Sequence, residues 1–242
     1  IGHPVARILA QNNEVWGAAR FSAEGSRERA ESIGVTPVTV DLETGDYDGL
    51  PDDFTHVAHF AAWMGPRPDH DRALRANAEA TGLLMQHCRS AEAFLIASTN
   101  SVYRPNADPC HRYAEGDPLG DPTSPFSPTY SMSKNAQEAV ARTMARALGL
   151  RTTIARINAS YGPNGGLPAY HGDWVAAGQP VHLRAPGPNA YSPIHEDDLG
   201  AQVAPLLDAA ATPATIVNWC GDEVVTAEEW CALFGECLGV EP

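Results

Sequence analysis

Short apolar runs alternate with helix-forming stretches through the first two thirds of this 242-residue chain, and that alternation limits the fold more than any single motif. Residues 5–10 read as helix, 14–19 as strand, 23–33 as helix and 37–41 as extended chain. A strand at 56–60, a long helix at 71–89 and a strand at 94–98 follow, then a long Pro-rich loop, a helix at 129–148 and a strand at 152–157. Strands that are apolar along their whole length, separated by helices, imply a parallel sheet covered on both faces. Its crossover connections should be right-handed. The expected class is α/β with a doubly wound parallel sheet. After Ser160 the character changes. Tyr161-Gly162-Pro163-Asn164-Gly165-Gly166 is turn chemistry, and the stretch to Pro193 is loop-rich, with a short helix expected at 172–177. Helices at 196–209 and 227–238 flank a strand at 215–219. The reading divides the chain into a main domain, 1–160, and a smaller substrate-facing lobe, 161–242, partly interleaved with the main sheet.

The run Pro128-Thr129-Tyr130-Ser131-Met132-Ser133-Lys134 carries the most chemistry. Pro128 suits a helix start, because its missing N–H is one of the donors that a helix start leaves unpaired. Residues four apart share a helix face, so the Tyr130 phenol and the Lys134 ammonium converge. A free tyrosine titrates near pH ~10, so acid/base work at neutral pH needs a neighbouring positive charge. Upstream, the apolar run 94–97 leads into Ser98-Thr99-Asn100. Hydroxyls there sit at the carboxyl end of a strand, where open α/β sheets bind their ligands. Neighbouring strand residues face opposite ways, so one of Ser98 and Thr99 faces the reaction; a hydroxyl facing away would bond nearby backbone.

Acidic residues outnumber basic ones 30 to 16, for a formal net charge of −14, and no Lys/Arg cluster is present. That argues against a nucleic-acid or anionic-membrane surface. Lys134 is the only lysine. Five scattered cysteines show no metal-ligand spacing and fit reduced thiols better than a disulfide framework. No apolar run approaches the ~20 residues of a membrane span. A cytoplasmic protein is the expectation. His59 and His195 read as structural, and Asp197-Asp198 as the cap and start of a helix rather than a metal pair.

Several segments, in order, resemble the extended short-chain dehydrogenase/reductase family, also called the NAD-dependent epimerase/dehydratase family, across nearly the whole chain. Ile1-Gly2 is similar to the end of its glycine-rich dinucleotide motif, and Asp41-Leu42 to its adenine-contacting pair. His59-Phe60-Ala61-Ala62 resembles the segment after its fourth strand, and Asn77 the asparagine of its long helix. Residues 98–103 resemble its Ser/Thr active-site strand and Tyr130–Lys134 its reactive pair. Residues 156–163 and 194–199 resemble two further signatures.

The resemblance implies a Rossmann-like fold, a small-molecule substrate and a bound nicotinamide dinucleotide, and is compatible with a homodimer. It assigns Thr99, Tyr130 and Lys134 to catalysis, matching Thr99 rather than Ser98 to the family hydroxyl. Gly2, Arg20, Asp41, Leu42, Phe60, Ala61 and Ala62 join Tyr130 and Lys134 around the cofactor. Trp63, Met64, Asn100, Asn158, His171 and Arg184 are placed toward the substrate, and no metal is expected. The chain opens inside the glycine-rich motif, so it reads as a piece of a longer protein lacking the first strand and ending short of its relatives.

Asn100-Ser101 stand where the family's 4,6-dehydratases carry Asp-Glu, which disfavours dehydration. Asn189-Ala190 stand where many nucleotide-sugar members carry an arginine, with Arg184 a displaced substitute. Arg20 follows the second strand of the family fold, where NAD-specific members usually hold an acid; an arginine there can pair with a 2′-phosphate, favouring NADP over NAD, or can be a solvated loop residue. The expected activity is hydride transfer to or from a carbonyl or secondary alcohol. A nucleotide-sugar epimerase using bound NAD is the alternative, and a non-enzymatic dinucleotide-sensing regulator a third reading.

Overall fold

The computed structural model describes residues 1–120 and 127–241. The end of the expected Pro-rich loop, 121–126, lies outside them.

Helix α1 (Gly2–Leu9) leads into β1 (Val15–Ala19), and α2 (Ser26–Ser32) into β2 (Val35–Thr39). After β3 (His56–His59), the expected single helix at 71–89 is three pieces: α3 (His70–Ala73), a π-helical turn (Leu74–Glu79) and α4 (Ala80–His87). Then come β4 (Ala93–Thr99), a 3₁₀ turn (Asn100–Val102), α5 (Tyr130–Leu148) and β5 (Thr152–Ile157). The C-terminal third holds β6 (Ser160–Tyr161), α6 (Leu167–Ala176), β7 (Ala190–Tyr191), β8 (Ile194–His195) and α7 (Glu196–Asp208). It ends with β9 (Thr215–Trp219), β10 (Val225–Thr226) and α8 (Ala227–Leu238).

Strands β3, β4, β5 and β9 form a parallel four-stranded sheet in the order β3-β4-β5-β9. Every residue of β4 and β5 is buried, as expected of strands covered on both faces. Leu95, Ala97, Ala155 and Ile157 face one way, against Val5 of α1 and Leu199, Val203 and Leu206 of α7. Phe94, Ile96 and Ile154 face the other, against Leu84 and Met85 of α4 and Ala141 and Ala145 of α5. The sheet is thus doubly wound. A separate small core surrounds Ala227, Trp230 and Cys231 with Leu167, Tyr191 and Phe234, between α6 and α8.

The parallel sheet is interrupted, in line with the expectation that the first strand is lacking: among the described residues β1 and β2 pair only with each other. Between β1 and β3 runs a cleft of about 1200 Å³, lined from both sides by Val15–Ala19 and residues 55–62. Neighbouring strands in a sheet lie about 4.8 Å apart, and no strand among the described residues fills this gap. Among the described residues, no helix is long and apolar enough to cross a membrane.

Candidate active site

Helix α5 starts at Tyr130 with Thr129 as its N-cap, so Pro128 precedes the helix instead of occupying its first turn. Its first two turns present Tyr130 and Lys134 to the carboxyl end of β4. Lys134 is almost completely buried, and its Nζ donates to the Ala97 carbonyl at 2.7 Å. Burial lowers its pKa to about 7, against the opposing pull of the Glu138 carboxylate. The Nζ stands 5.9 Å from the centre of the Tyr130 ring.

The Tyr130 phenol is half-buried and hydrogen-bonded with the Thr99 side chain. Burial raises its pKa and the Thr99 bond pulls it back down. The expected depression of that pKa by Lys134 is not what this geometry produces: the phenol is tuned by its surroundings and by Thr99. Thr99 therefore faces Tyr130. Ser98 turns to the other side, and its Oγ donates to Glu138 Oε1 at 2.6 Å, a carboxylate partner in place of the expected backbone one.

Ile1, Phe60, Ala62, Thr99, Tyr130 and Lys134, among others, enclose a cavity of about 100 Å³ that Asn158 and Ser160 also reach. Ile1, Phe60 and Ala62 are shared with the large cleft, so the two are continuous. Gly2, Arg20, Asp41, Leu42, Phe60, Ala61 and Ala62 all line that cleft, together with Trp63. Helix α1 opens onto it with no side chain capping its first turn, which leaves backbone N–H groups and the positive end of the helix dipole toward an anion. Small residues on the wall, Gly2, Gly17, Ala18, Ala61 and Ala62, leave width for a ring system. These residues fit a dinucleotide extended from α1 to Tyr130.

Asn100 lies outside the cavity, in the 3₁₀ turn after β4. Met64 is 65% exposed and away from both cavities. His171 is buried in the lobe, where its Nδ1 accepts from Trp230 Nε1 at 3.0 Å and its ring packs on Trp174. Arg184 is exposed in the lobe; its backbone N–H and carbonyl are clasped by the Asn189 side chain. None of these four residues lines the cavity around Tyr130.

His59 is buried against Thr81, and burial together with the nearby Lys134 charge lowers its pKa to about 3, so it is neutral. His195, not Asp197 or Asp198, is the N-cap of α7, and Asp197 bridges to Arg7. Asn77, in the π-turn, grips the Trp63 backbone through both amide atoms, at 2.6 and 3.0 Å, and donates to Ser133 Oγ at 2.8 Å. It thereby ties the cleft wall to α5.

Two residues beneath the site escaped the sequence reading. Glu138 and Arg156 form a buried ion pair, with Arg156 Nη2 2.7 Å from Glu138 Oε2. The signal was there: an arginine inside a strand expected to be buried on both faces must have a buried partner, and Glu138 shares the helix face of Lys134.

The sequence matches the NAD dependent epimerase/dehydratase family over residues 1–207. No curated protein matches it. Among solved structures, a UDP-glucose 4-epimerase from Thermus thermophilus in complex with NAD is 26% identical, with a TM-score of 0.76 over 99% of this chain and 80% of that one. UDP-glucuronic acid 4-epimerase from Bacillus cereus, in complex with UDP-glucuronic acid and NAD, is 20% identical, with a TM-score of 0.81 over 100% of this chain and 81% of that one. A dTDP-glucose 4,6-dehydratase from Bacillus anthracis in complex with NAD is 19% identical, with a TM-score of 0.79 over 99% and 78%. This chain thus spans about four fifths of their length. With the family matched over residues 1–207, which include Thr99, Tyr130 and Lys134, the chain is an enzyme of the NAD-dependent epimerase/dehydratase family.

Proposed function

We propose that this protein transfers hydride between a nicotinamide dinucleotide and a carbonyl or secondary alcohol, with Tyr130 as the acid/base. The observation that carries the reading is the Thr99–Tyr130 hydrogen bond, at the mouth of a cleft lined by every expected cofactor residue other than Tyr130 and Lys134. When bound, the dinucleotide would supply the hydride acceptor or donor. Gly2 and the α1 N-terminus would hold its phosphates, Asp41 and Leu42 its adenine end, and Lys134 its nicotinamide ribose.

Tyr130 gives a proton to the substrate oxygen, or takes one from it, and Thr99 fixes that oxygen beside the phenol. Lys134, titrating near 7, needs only a small rise in pKa to be fully charged at neutral pH. A charged Lys134 would add to the Thr99 bond in favouring phenolate at Tyr130. The apolar wall of Phe60, Ala62 and Ile157 excludes water from the reacting atoms.

A second reading is favoured by the structural neighbour solved with NAD and a UDP-sugar. In it, Tyr130 would take the proton of a sugar hydroxyl and later return it, while bound NAD would supply the hydride acceptor and then the donor to the other face. Asn100-Ser101 supply no acid to expel water, so dehydration is disfavoured. The test uses full-length protein: NADPH and NADH oxidation with a panel of aldehydes and ketones, and interconversion of UDP-glucose. Net oxidation supports the first reading, and interconversion without net consumption the second. In either case Tyr130→Phe should lower kcat by about 10²–10⁴-fold with dinucleotide affinity unchanged. Near wild-type kcat in that variant sinks both readings.

A further inference from the structure

We infer that the buried Glu138–Arg156 pair is a positioning device, which fixes the strand end bearing Thr99 against the helix bearing Tyr130 and Lys134. The inference rests on the Tyr130 reading above. Both side chains are 2% exposed. The pair is bidentate: Arg156 Nε donates to Glu138 Oε1 at 2.9 Å and Nη2 to Oε2 at 2.7 Å. Glu138 Oε1 also accepts from Ser98, which immediately precedes Thr99 and is the register partner of Arg156 across β4 and β5. Glu138 itself lies one helical turn beyond Lys134 on α5. One carboxylate therefore touches the element that presents the hydroxyl and belongs to the element that presents the phenol and the ammonium.

The remaining guanidinium nitrogen extends the clamp. Arg156 Nη1 donates to the Tyr103 hydroxyl at 2.9 Å and to the Glu115 carbonyl at 3.0 Å, and the guanidinium lies 4.8 Å over the Tyr103 ring. The Tyr103 hydroxyl donates to Asn218 Oδ1 on β9 at 2.5 Å. Asn218 binds the loop above, through Nδ2 to the Tyr113 carbonyl and through its backbone N–H to Glu115 Oε1. Tyr103 and Tyr113 stack at 4.8 Å. Both ends of the 3₁₀ turn that follows Thr99 are thus anchored, Ser98 on one side and Tyr103 on the other.

Stability alone does not account for such a pair. Removing two charges from water offsets most of their attraction, and well-packed apolar residues of equal volume often do as well or better. What an apolar pair lacks is direction. A bidentate fork with a third hydrogen bond admits one relative placement of β4, β5 and α5.

The carboxylate also faces the ammonium. The charged or titratable groups around Lys134 are Tyr130 and Glu138 on its own helix, neutral His59 from β3, Arg156 from β5, and the Ile1 amino group across the cavity. Glu138 is the one that holds Lys134 toward its charged form.

The single lysine makes a direct test available. The 242-residue chain labelled with ¹⁵N-lysine gives one Nζ resonance, whose titration reports Lys134 without cofactor or substrate. Three variants are compared with wild type: S98A, E138Q and the charge-free E138M/R156M, with thermal unfolding measured for each. E138Q strands a guanidinium, and the double variant covers the case in which E138Q does not fold. The expected result is a Nζ midpoint about one pH unit lower, or more, in E138Q or E138M/R156M. S98A should keep the wild-type midpoint. In the turnover assays above, S98A and E138M/R156M should lose at least ~10-fold in kcat with KM within about threefold, the split expected of misplaced groups. A folded E138M/R156M with the wild-type midpoint and kcat overturns the inference; if that variant does not fold, wild-type kcat in S98A overturns it. An active Y130F would instead break the acid/base reading, so the two failures are told apart.

Discussion

Arg20 follows directly on β1 and is exposed at the rim of the cleft. We propose that its guanidinium pairs with a 2′-phosphate on the adenine ribose, since Arg20 and Asp41 both line the cleft. A charge-assisted bond of that kind contributes about 1.5–3 kcal/mol, or some ten- to 150-fold in affinity. Wild type should therefore show a higher kcat/KM with NADPH than with NADH, and Arg20→Asp should narrow or invert the ratio. An unchanged ratio makes Arg20 a surface residue and removes the reason to prefer NADPH. At this scale, what could be read from sequence was what depends on local spacing. Tyr130 and Lys134 are one helical turn apart, and Thr99 ends a strand, so their convergence follows from backbone geometry. Glu138 and Arg156 are 18 positions apart on different elements, and only packing joins them. His171 was placed toward the substrate by resemblance, yet Trp230 and Trp174 take it into the lobe core.

The elements themselves were legible where hydrophobic period and length agreed. Strands β4 and β5 and helix α5 fall within two residues of where their apolar and helix-forming runs put them. The π-turn inside the 71–89 segment was not, because composition does not distinguish it from α-helix. It places Asn77 against Trp63 and Ser133, a side-chain arrangement that no local period announces. Helix α6 was underestimated for a similar reason. It begins at Leu167, earlier than the expected 172, because Gly166 makes the entry. Gly166 has φ +114°, and a Cβ there would stand 1.9 Å from the Ser160 carbonyl oxygen. Gly166→Ala should therefore displace the start of α6, at about 2–4 kcal/mol, or roughly 5–15 °C in Tm. Gly116→Ala, where a Cβ meets nothing within 4 Å, is the control and should unfold like wild type. Equal Tm values for the two variants would contradict this account.

For the molecule as a whole, the doubly wound class follows from the alternation of runs, and the split of the sheet agrees with the reading of Ile1-Gly2 as the end of a glycine-rich motif whose strand is lacking. The split leaves an unpaired edge on β1 and another on β3, facing each other across about 1200 Å³. Unpaired edges are weak points, and a parallel strand inserted there would satisfy both. Adding an apolar strand and a Gly-x-Gly loop ahead of Ile1 should raise Tm by more than about 10 °C, taking roughly 1 kcal/mol per hydrogen bond gained. It should also tighten dinucleotide binding, because the loop would place further N–H groups beside those of α1. Calorimetry of both forms, with and without NADPH, checks this. Equal Tm and equal affinity would mean that the cleft closes without a strand.

The solitary lysine has a practical consequence for watching this protein open. Within these 242 residues a protease that cuts only after lysine has one bond to attack, Lys134–Asn135, and that bond lies inside a 19-residue helix with the lysine 1% exposed. Cleavage requires a stretch of α5 to leave the sheet, so the appearance of two fragments counts molecules in which the reactive helix has detached. When reclosing outpaces cutting, the rate reports the free energy of that detachment. A bound dinucleotide that bridges α1 and α5 would slow it in proportion to occupancy, giving a binding assay that needs no turnover.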